Sequence, residues 1–259
     1  MLLGIDVGNT NITCGVFRDK EMVATFRMTT KKPRTSDEYG MIMKNLLENN
    51  KINADEIDAI IVASVVPKVM YSLGSALIKY FEIMPIVVEP GIKTGIRLDF
   101  DNPRQVGADR IVDAVAAYEL YGGPVIVIDF GTATTYDVIT EDGAFIGGVT
   151  APGVQTSASA LWSAAAKLPE VEIQMPKTII AKDTITSMQA GIVFGQIGQT
   201  EAIVNRIKKE TGFEDIKTVA TGGLGNLITA ETDAIDIYNP SLTLHGLRII
   251  YDKQKKKSK

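Results

Sequence analysis

The chain opens on short β-branched runs in which apolar positions alternate with polar ones or stand together. Residues 2–8, 10–17 and 22–28 each predict a strand. Gly8-Asn9 and Arg18-Asp19-Lys20 lie between them as hairpin connections. The period then lengthens. Thr35-Ser36-Asp37-Glu38 carries the Thr and Glu of a capping box. Tyr39, Ile42, Met43, Leu46 and Leu47 follow at helical spacing. Residues 57–64 predict a strand, 67–81 a helix with Pro67 in its first turn, and 85–88 another strand. Residues 110–120 predict a helix entered through Gly107-Ala108-Asp109. The order is β-β-β-α-β-α-β-α.

The second half begins the same way, with strands at 124–129, 134–140 and 144–149. An Ala/Ser-rich helix is expected within 152–166, a long helix at 184–209, a strand at 217–220 and a last helix at 242–251. Beneath this lies a repeat. Leu3-Gly4-Ile5-Asp6-Val7-Gly8-Asn9-Thr10 parallels Ile126-Val127-Ile128-Asp129-Phe130-Gly131-Thr132-Ala133, 123 residues further on. In each copy an apolar strand ends in Asp, followed by an apolar residue, Gly, and a returning strand. A single Asp-Gly turn is common in hairpins. Two copies that each open a three-strand unit point to duplication. The expectation is an α/β chain of two similar domains, 1–117 and 118–259, each a mixed sheet flanked by helices, with a cleft between them.

Composition narrows the chemistry. Among 259 residues, 45% are hydrophobic and 22% charged, which supports a packed core. The net charge of −4 disfavours nucleic acid as a partner. One Cys excludes an internal disulfide and a Cys-cluster metal site, and one His excludes two-His zinc motifs. Chemistry therefore rests on carboxylates, hydroxyls, backbone amides and Arg/Lys. No signal peptide and no apolar run long enough to span a membrane is evident, so a cytoplasmic protein with no membrane partner is expected. The basic run at residues 255–259 reads as a solvated tail.

A tight Gly-containing hairpin presents backbone N–H groups that can cradle an anion. Asn9, Thr10, Asn11 and Thr13 add side-chain donors beside the first one. An Asp repels phosphate directly but can hold a bridging Mg²⁺. Asp6 and Asp129 together thus fit phosphoryl transfer, which is mostly positioning and charge neutralisation. No Gly-Lys dipeptide occurs, so there is no Walker A loop. Gly223-Leu224-Gly225-Asn226-Leu227-Ile228 begins like a dinucleotide fingerprint but ends in Ile. Thr221-Gly222-Gly223 follows a predicted strand and permits close approach of a flat ligand; read alone it is also an ordinary turn.

These motifs resemble the actin–sugar kinase–Hsp70 ATPase superfamily, with its actin-like (ribonuclease H-like) domains, and within it type III pantothenate kinase. The residues that carry the resemblance are Asp6-Val7-Gly8-Asn9-Thr10, Asn102-Pro103-Arg104-Gln105-Val106-Gly107-Ala108-Asp109-Arg110 and Asp129-Phe130-Gly131-Thr132-Ala133-Thr134-Thr135. Gly147-Gly148, Ala151-Pro152-Gly153 and Thr221-Gly222-Gly223 complete them. The resemblance runs from Met1 to about Leu247, and the Asn-Pro to Asp-Arg segment is its most specific part. It implies phosphorylation of the primary hydroxyl of pantothenate by ATP, the first step of coenzyme A synthesis. It makes Asp109 the general base and assigns Phe100, Gly107, Ala108, Asp109, Arg110 and Thr184 to substrate. Asp6, Val7, Gly8, Asn9, Thr10, Asn11, Ile12, Thr13, Thr132, Gly222 and Gly223 are assigned to ATP. Asp6 would serve Mg²⁺ indirectly, and Asp129 a monovalent cation, K⁺ or NH₄⁺. A homodimer is also implied. The family commonly has Tyr where this chain has Phe100, so a hydroxyl contact to substrate is lost.

Plainer readings stand beside these. Asp109 suits the first turn of any helix, and Arg110 suits a surface ion pair. His245 reads as a packed or solvated helical residue and Cys14 as a small core residue. Gly191, Gly195 and Gly198 fit close packing, either inside the domain or between subunits, and Trp162 fits a pocket wall or core. Other functions that suit the same motifs are a nucleotide-binding regulatory protein without catalysis and a kinase of another small alcohol.

Overall fold

The structure is a computed structural model that describes residues 1–89 and 91–255. The tail expected at 255–259 thus lies, from 256 on, outside the described residues. The chain divides into two compact units.

The first unit is built on β1 (Leu2–Val7), β2 (Asn11–Arg18), β3 (Glu21–Thr29), β4 (Ala59–Ser64) and β5 (Ile86–Val87), in the sheet order β3-β2-β1-β4-β5. β1, β2 and β3 run antiparallel, while β4 and β5 lie parallel to β1. β1 and β4 are covered on both faces, which is why they read as continuous apolar runs up to Asp6 and Ser64 near their ends. One face packs on α1 (Ser36–Asn49) and α2 (Pro67–Phe81) through Leu3, Ile5, Val62, Met43, Leu47 and Leu73. The capping box forms as predicted. Glu38 N–H donates to the Thr35 hydroxyl at 3.3 Å, and Thr35 N–H donates to the Glu38 carboxylate at 2.7 Å. The other face packs on α3 (Ala108–Tyr121) and α7 (Leu242–Lys255) through Leu2, Ile61, Val112, Val115, Leu244 and Leu247.

The second unit carries β6 (Arg97–Leu98), β7 (Val125–Phe130), β8 (Ala133–Ile139), β9 (Ala144–Pro152), β10 (Lys217–Thr221) and β11 (Ile237–Tyr238). Their order is β11-β10-β7-β8-β9-β6. Leaving β6 aside, this is the first sheet again: an antiparallel β7-β8-β9 meander, with β10 and β11 parallel to β7. The repeat seen in sequence is a repeat of topology. α4 (Val154–Ala164) and α5 (Thr184–Thr211) cover one face through Val154, Ala158, Ile192, Val193 and Val204, and α6 (Gly225–Thr229) adds Ile228. Trp162 packs against this core.

Two divisions differ from the expected ones. The described residues from Leu242 on group with the first unit, and Arg97–Phe100 groups with the second. The cause of the first is apolar packing. α7 lays Leu244 and Leu247 on β1 and β2, and Gly246 meets the carbonyl of Val112 on α3, where a Cβ would collide with it. The cause of the second is a ladder, since β6 pairs in parallel with β9.

Candidate functional site

Asp6 ends β1 on the face that α3 and α7 cover, two residues beyond Gly4, whose missing Cβ makes room for Leu247. It stands opposite Thr13 on β2 and beside Ala63 on β4. The chain then turns through residues 8–11. Gly8 N–H donates to the Asn11 carbonyl at 3.0 Å, while Asn9 and Thr10 are exposed at the tip. Val7 and Ile12, both expected at ATP, have side chains wholly in the core, which leaves only their backbone to face a ligand. Thr30, which sequence reasoning missed, closes the turn from behind. Its hydroxyl donates to the Gly8 carbonyl at 2.8 Å, and its N–H donates to the Thr10 carbonyl at 2.9 Å.

Asp109 lies in the first turn of α3. Arg110 N–H donates to its Oδ1 at 2.8 Å, which fixes the carboxylate over the helix start. A Cβ on Gly107 would strike that same oxygen, so glycine is needed there to leave the carboxylate its place. Where a Gly107 Cβ would stand, the Val65 side chain is 3.6 Å away. Val65 N–H in turn donates to the Val7 carbonyl at 3.1 Å. Gly107, two residues before Asp109, therefore stands close to Val65, which is bonded to the residue after Asp6. Ala108 and Arg110 are half-buried in the same turn.

In the second unit Asp129 ends β7 as Asp6 ends β1, opposite Thr135 and beside Thr221 on β10. Its carboxylate is walled by absent side chains. A Cβ on Gly222 would stand 2.7 Å from Oδ1 and 2.6 Å from the Phe130 nitrogen, and one on Gly131 would stand 3.0 Å from Oδ2. Gly222 has φ +97°, and its carbonyl accepts from the Tyr238 hydroxyl at 2.9 Å. Gly223 is exposed with open space where its Cβ would be. Directly opposite residues of an antiparallel pair share a face, so the Thr135 hydroxyl stands on the carboxylate's side of the sheet. That hydroxyl is buried and has no hydrogen-bond partner. A carboxylate beside an unsatisfied buried hydroxyl suits a hard cation with oxygen ligands. Among the described residues no group of three or more His, Cys, Asp or Glu could hold a metal ion. The exposed Thr132 is tied through its carbonyl, which accepts from Gly153 N–H at 3.2 Å and Thr156 Oγ1 at 2.6 Å.

Phe100 packs edge-on against the buried Phe145, ring centroids 4.9 Å apart. It belongs to the second unit, whereas Gly107, Ala108, Asp109 and Arg110 belong to the first. Thr184 opens α5, whose N-cap Asp183 accepts from Thr186 N–H at 2.9 Å. That bond holds the Asp183 carboxyl below its ordinary range. Thr184 also lines a cavity of about 540 Å³ with Leu161, Leu168, Ser187 and Gly191 among its walls. Gly191, Gly195 and Gly198 are exposed, with nothing near where a Cβ would stand, so packing inside the unit does not account for them.

The remaining candidates keep their plainer readings. Burial, reinforced by the charge of Asp6, pushes the Cys14 thiol far up, which makes it an inert core group. His245 packs edge-on against Phe17, and burial pushes its pKa down, with Arg248 adding to the effect. Thr30 and Val65 carry no motif, and Thr135 closes the second Asp motif without a role assigned to it there. The signal that points to its role is the repeat, since Asp6 faces Thr13 as Asp129 faces Thr135.

Comparison with known proteins identifies the chain's relatives. The chain is 63% identical over 257 residues to a type III pantothenate kinase of Agathobacter rectalis, covering 99% of each chain. A Baf family protein of Campylobacter jejuni shares the fold at TM-score 0.60 and 20% identity, covering 98% of this chain and 99% of that one. A ROK hexokinase of Thermus thermophilus shares it at TM-score 0.53 and 12% identity, covering 98% and 99%. No helix of the described residues is long and apolar enough to cross a membrane. Residues 2–206 match the family described as type III pantothenate kinase, and with the near-full-length identity this makes the chain a member of that family.

Proposed function

We propose that this chain transfers the γ-phosphoryl group of ATP to the primary hydroxyl of pantothenate, giving 4'-phosphopantothenate and ADP, the first step of coenzyme A biosynthesis. The observation that carries the reading is the placement of Asp109. Its carboxylate is pinned at a helix start, over a glycine whose neighbour is Val65, just past β4. Asp109 takes the proton of the attacking hydroxyl. The oxygen–phosphorus bond then forms as the bond from the γ-phosphorus to the bridging oxygen breaks. Protein kinases give an Asp the same task. Arg110 and the Gly107–Ala108 backbone orient pantothenate, with Phe100 and Thr184 as further substrate contacts. Phe100 can offer only its ring, since the family's common Tyr hydroxyl is absent.

ATP is the donor. Asp6, Gly8, Asn9, Thr10, Asn11 and Thr13 face its phosphates in this reading, as do the backbone groups of Val7 and Ile12. Thr132, Gly222 and Gly223 serve the nucleotide. Mg²⁺ supplies charge neutralisation on the phosphates, with Asp6 holding it indirectly. A single carboxylate suits an ion that keeps most of its shell as water and phosphate. K⁺ or NH₄⁺ belongs at Asp129, and the unsatisfied Thr135 hydroxyl supports that assignment. A homodimer is supported by the apolar surface around Thr184, where Ile179, Ile180 and Ile185 are 67%, 84% and 51% exposed. The cytoplasm is the compartment where ATP and these substrates meet.

The test is ADP release from the purified protein with ATP and Mg²⁺, with and without pantothenate, in Na⁺, K⁺ and NH₄⁺ buffers. Turnover that needs pantothenate and rises with K⁺ or NH₄⁺ is expected, and it should vanish in folded Asp109→Asn. Nucleotide binding with no pantothenate-dependent turnover would instead identify a regulatory protein. Turnover only with another alcohol would reassign the substrate.

A further inference from the structure

Thr30 has no place in the family motifs, yet it holds the Gly8–Asn11 turn at two points. It follows β3 directly and is buried, 8% exposed. Its hydroxyl donates to the Gly8 carbonyl at 2.8 Å. Its N–H donates to the Thr10 carbonyl at 2.9 Å, and the Thr29 hydroxyl reaches that same oxygen at 3.5 Å. In a planar trans peptide the C=O and N–H point in opposite directions. Drawing the Gly8 carbonyl toward Thr30 therefore turns the Asn9 N–H away from it. Drawing the Thr10 carbonyl the same way turns the Asn11 N–H away as well. Two amides of one short turn are left facing away from the buried side, a geometry that suits an anion.

The brace is itself anchored. The Arg34 guanidinium donates to the Thr29 carbonyl at 2.6 Å. It also lies 5.7 Å from the ring centroid of Tyr39, which is only 1% exposed in the α1 packing. Thr30 is thus held between a strand and a helix that the core fixes.

We propose that Thr30 is a positioning residue for the nucleotide: it holds the hairpin peptides in the orientation that presents the Asn9 and Asn11 amides to the phosphates. This rests on the reading of the Gly8–Asn11 turn as the phosphate hairpin. Thr30→Val keeps the shape and backbone bond but removes the hydroxyl donor, whereas Thr30→Ser keeps the donor.

The experiment is calorimetric titration of each variant with ADP and Mg²⁺, alongside steady-state kinetics. Thr30→Val should raise the Kd for ADP and the KM for ATP about tenfold, the effect of one lost hydrogen bond. The KM for pantothenate should stay within about twofold, and Thr30→Ser should restore nucleotide binding. Unchanged ADP affinity in Thr30→Val, an equal rise in both KM values, or a Ser variant as impaired as Val overturns the proposal. Should Thr30→Val not fold, hydrogen exchange on the wild-type protein decides. Protection of the Asn9 and Asn11 amides by ADP supports the proposal, and its lack overturns it. The titration reads nucleotide alone, so a wild-type protein that binds ADP but ignores pantothenate defeats the assigned reaction without touching Thr30.

Discussion

The Gly222-Gly223 pair offers the sharpest contrast, because the structure demands glycine at only one of its two positions. Gly222 adopts φ +97°, and an alanine methyl there would lie 2.6 Å from the Phe130 nitrogen and 2.7 Å from Asp129 Oδ1. Left-handed backbone costs a non-glycine residue roughly 1–2 kcal/mol. Forcing a methyl against a backbone atom costs about 1–3 kcal/mol more, since the neighbour is a strand end that cannot swing aside. After partial relaxation Gly222→Ala should lose about 2–4 kcal/mol. For a protein of this size that is roughly 5–12 °C in the melting temperature of the second unit. Gly223 has open space and no positive φ, so Gly223→Ala should melt within about 2 °C of the parent. Differential scanning calorimetry of the two variants with the parent measures this. The methyl of Gly222→Ala also displaces the Asp129 carboxylate, so any response of the parent's melting point to K⁺ should weaken in it. Equal destabilisation by the two substitutions, or an unshifted Gly222→Ala, would refute the reasoning.

The same logic applies at Gly107, where a methyl would enter the space of Asp109 Oδ1. Gly107→Ala should lower kcat by about 10²-fold or more, with little change in nucleotide affinity by titration. Thr35→Ala removes the hydroxyl half of the α1 capping box, leaving its backbone N–H to Glu38, and should cost about 1 kcal/mol in urea unfolding, with kcat unchanged. His245 has a folded-state pKa below its unfolded one, so the unfolded chain binds the extra proton and stability falls as pH drops below about 6.5. His245→Gln should flatten the melting-point profile between pH 7 and 5, and an unchanged slope would assign it to other groups.

Much of the fold was legible because its signals are local. Thr35 and Glu38 announced the start of α1, and Pro67 announced that of α2, at the residues where the helices begin. β1 and β7 stood out because burial on both faces leaves them apolar up to a single Asp near the end, Asp6 and Asp129. β6 and β11 were missed because two residues carry no period. The place of α7 could not be read either. Its amphipathic face declares that it packs, but the partner is decided by Gly246 meeting Val112, more than 130 positions earlier. The site divides along the same line. Asp6, Asp109, Asp129 and the glycines beside them belong to motifs. Thr30 and Val65 matter only through bonds made to distant residues just past their strands, and the Thr135 hydroxyl only through its register opposite Asp129.

The two halves also show how a duplicated sheet acquires different sites. Each places a carboxylate at the end of its first strand with a threonine opposite, so the central geometry is shared. The differences lie just beyond. Four residues separate Val7 from its partner Ile12, whereas three separate Phe130 from Thr134, so the first turn extends further past its Asp. The parallel neighbour of Asp6 is Ala63, followed by Ser64 and Val65, and Val65 seats Gly107 at the start of α3. The parallel neighbour of Asp129 is Thr221, followed by Gly222 and Gly223, which put no side chain there at all. One half fills the space after its fourth strand with an apolar support, and the other leaves it empty beside the carboxylate. Neither carboxylate moved; the residues that follow the adjacent parallel strand changed. That substitution is enough to make one sheet end back the glycine that precedes a helix and the other leave a glycine-lined space beside its carboxylate.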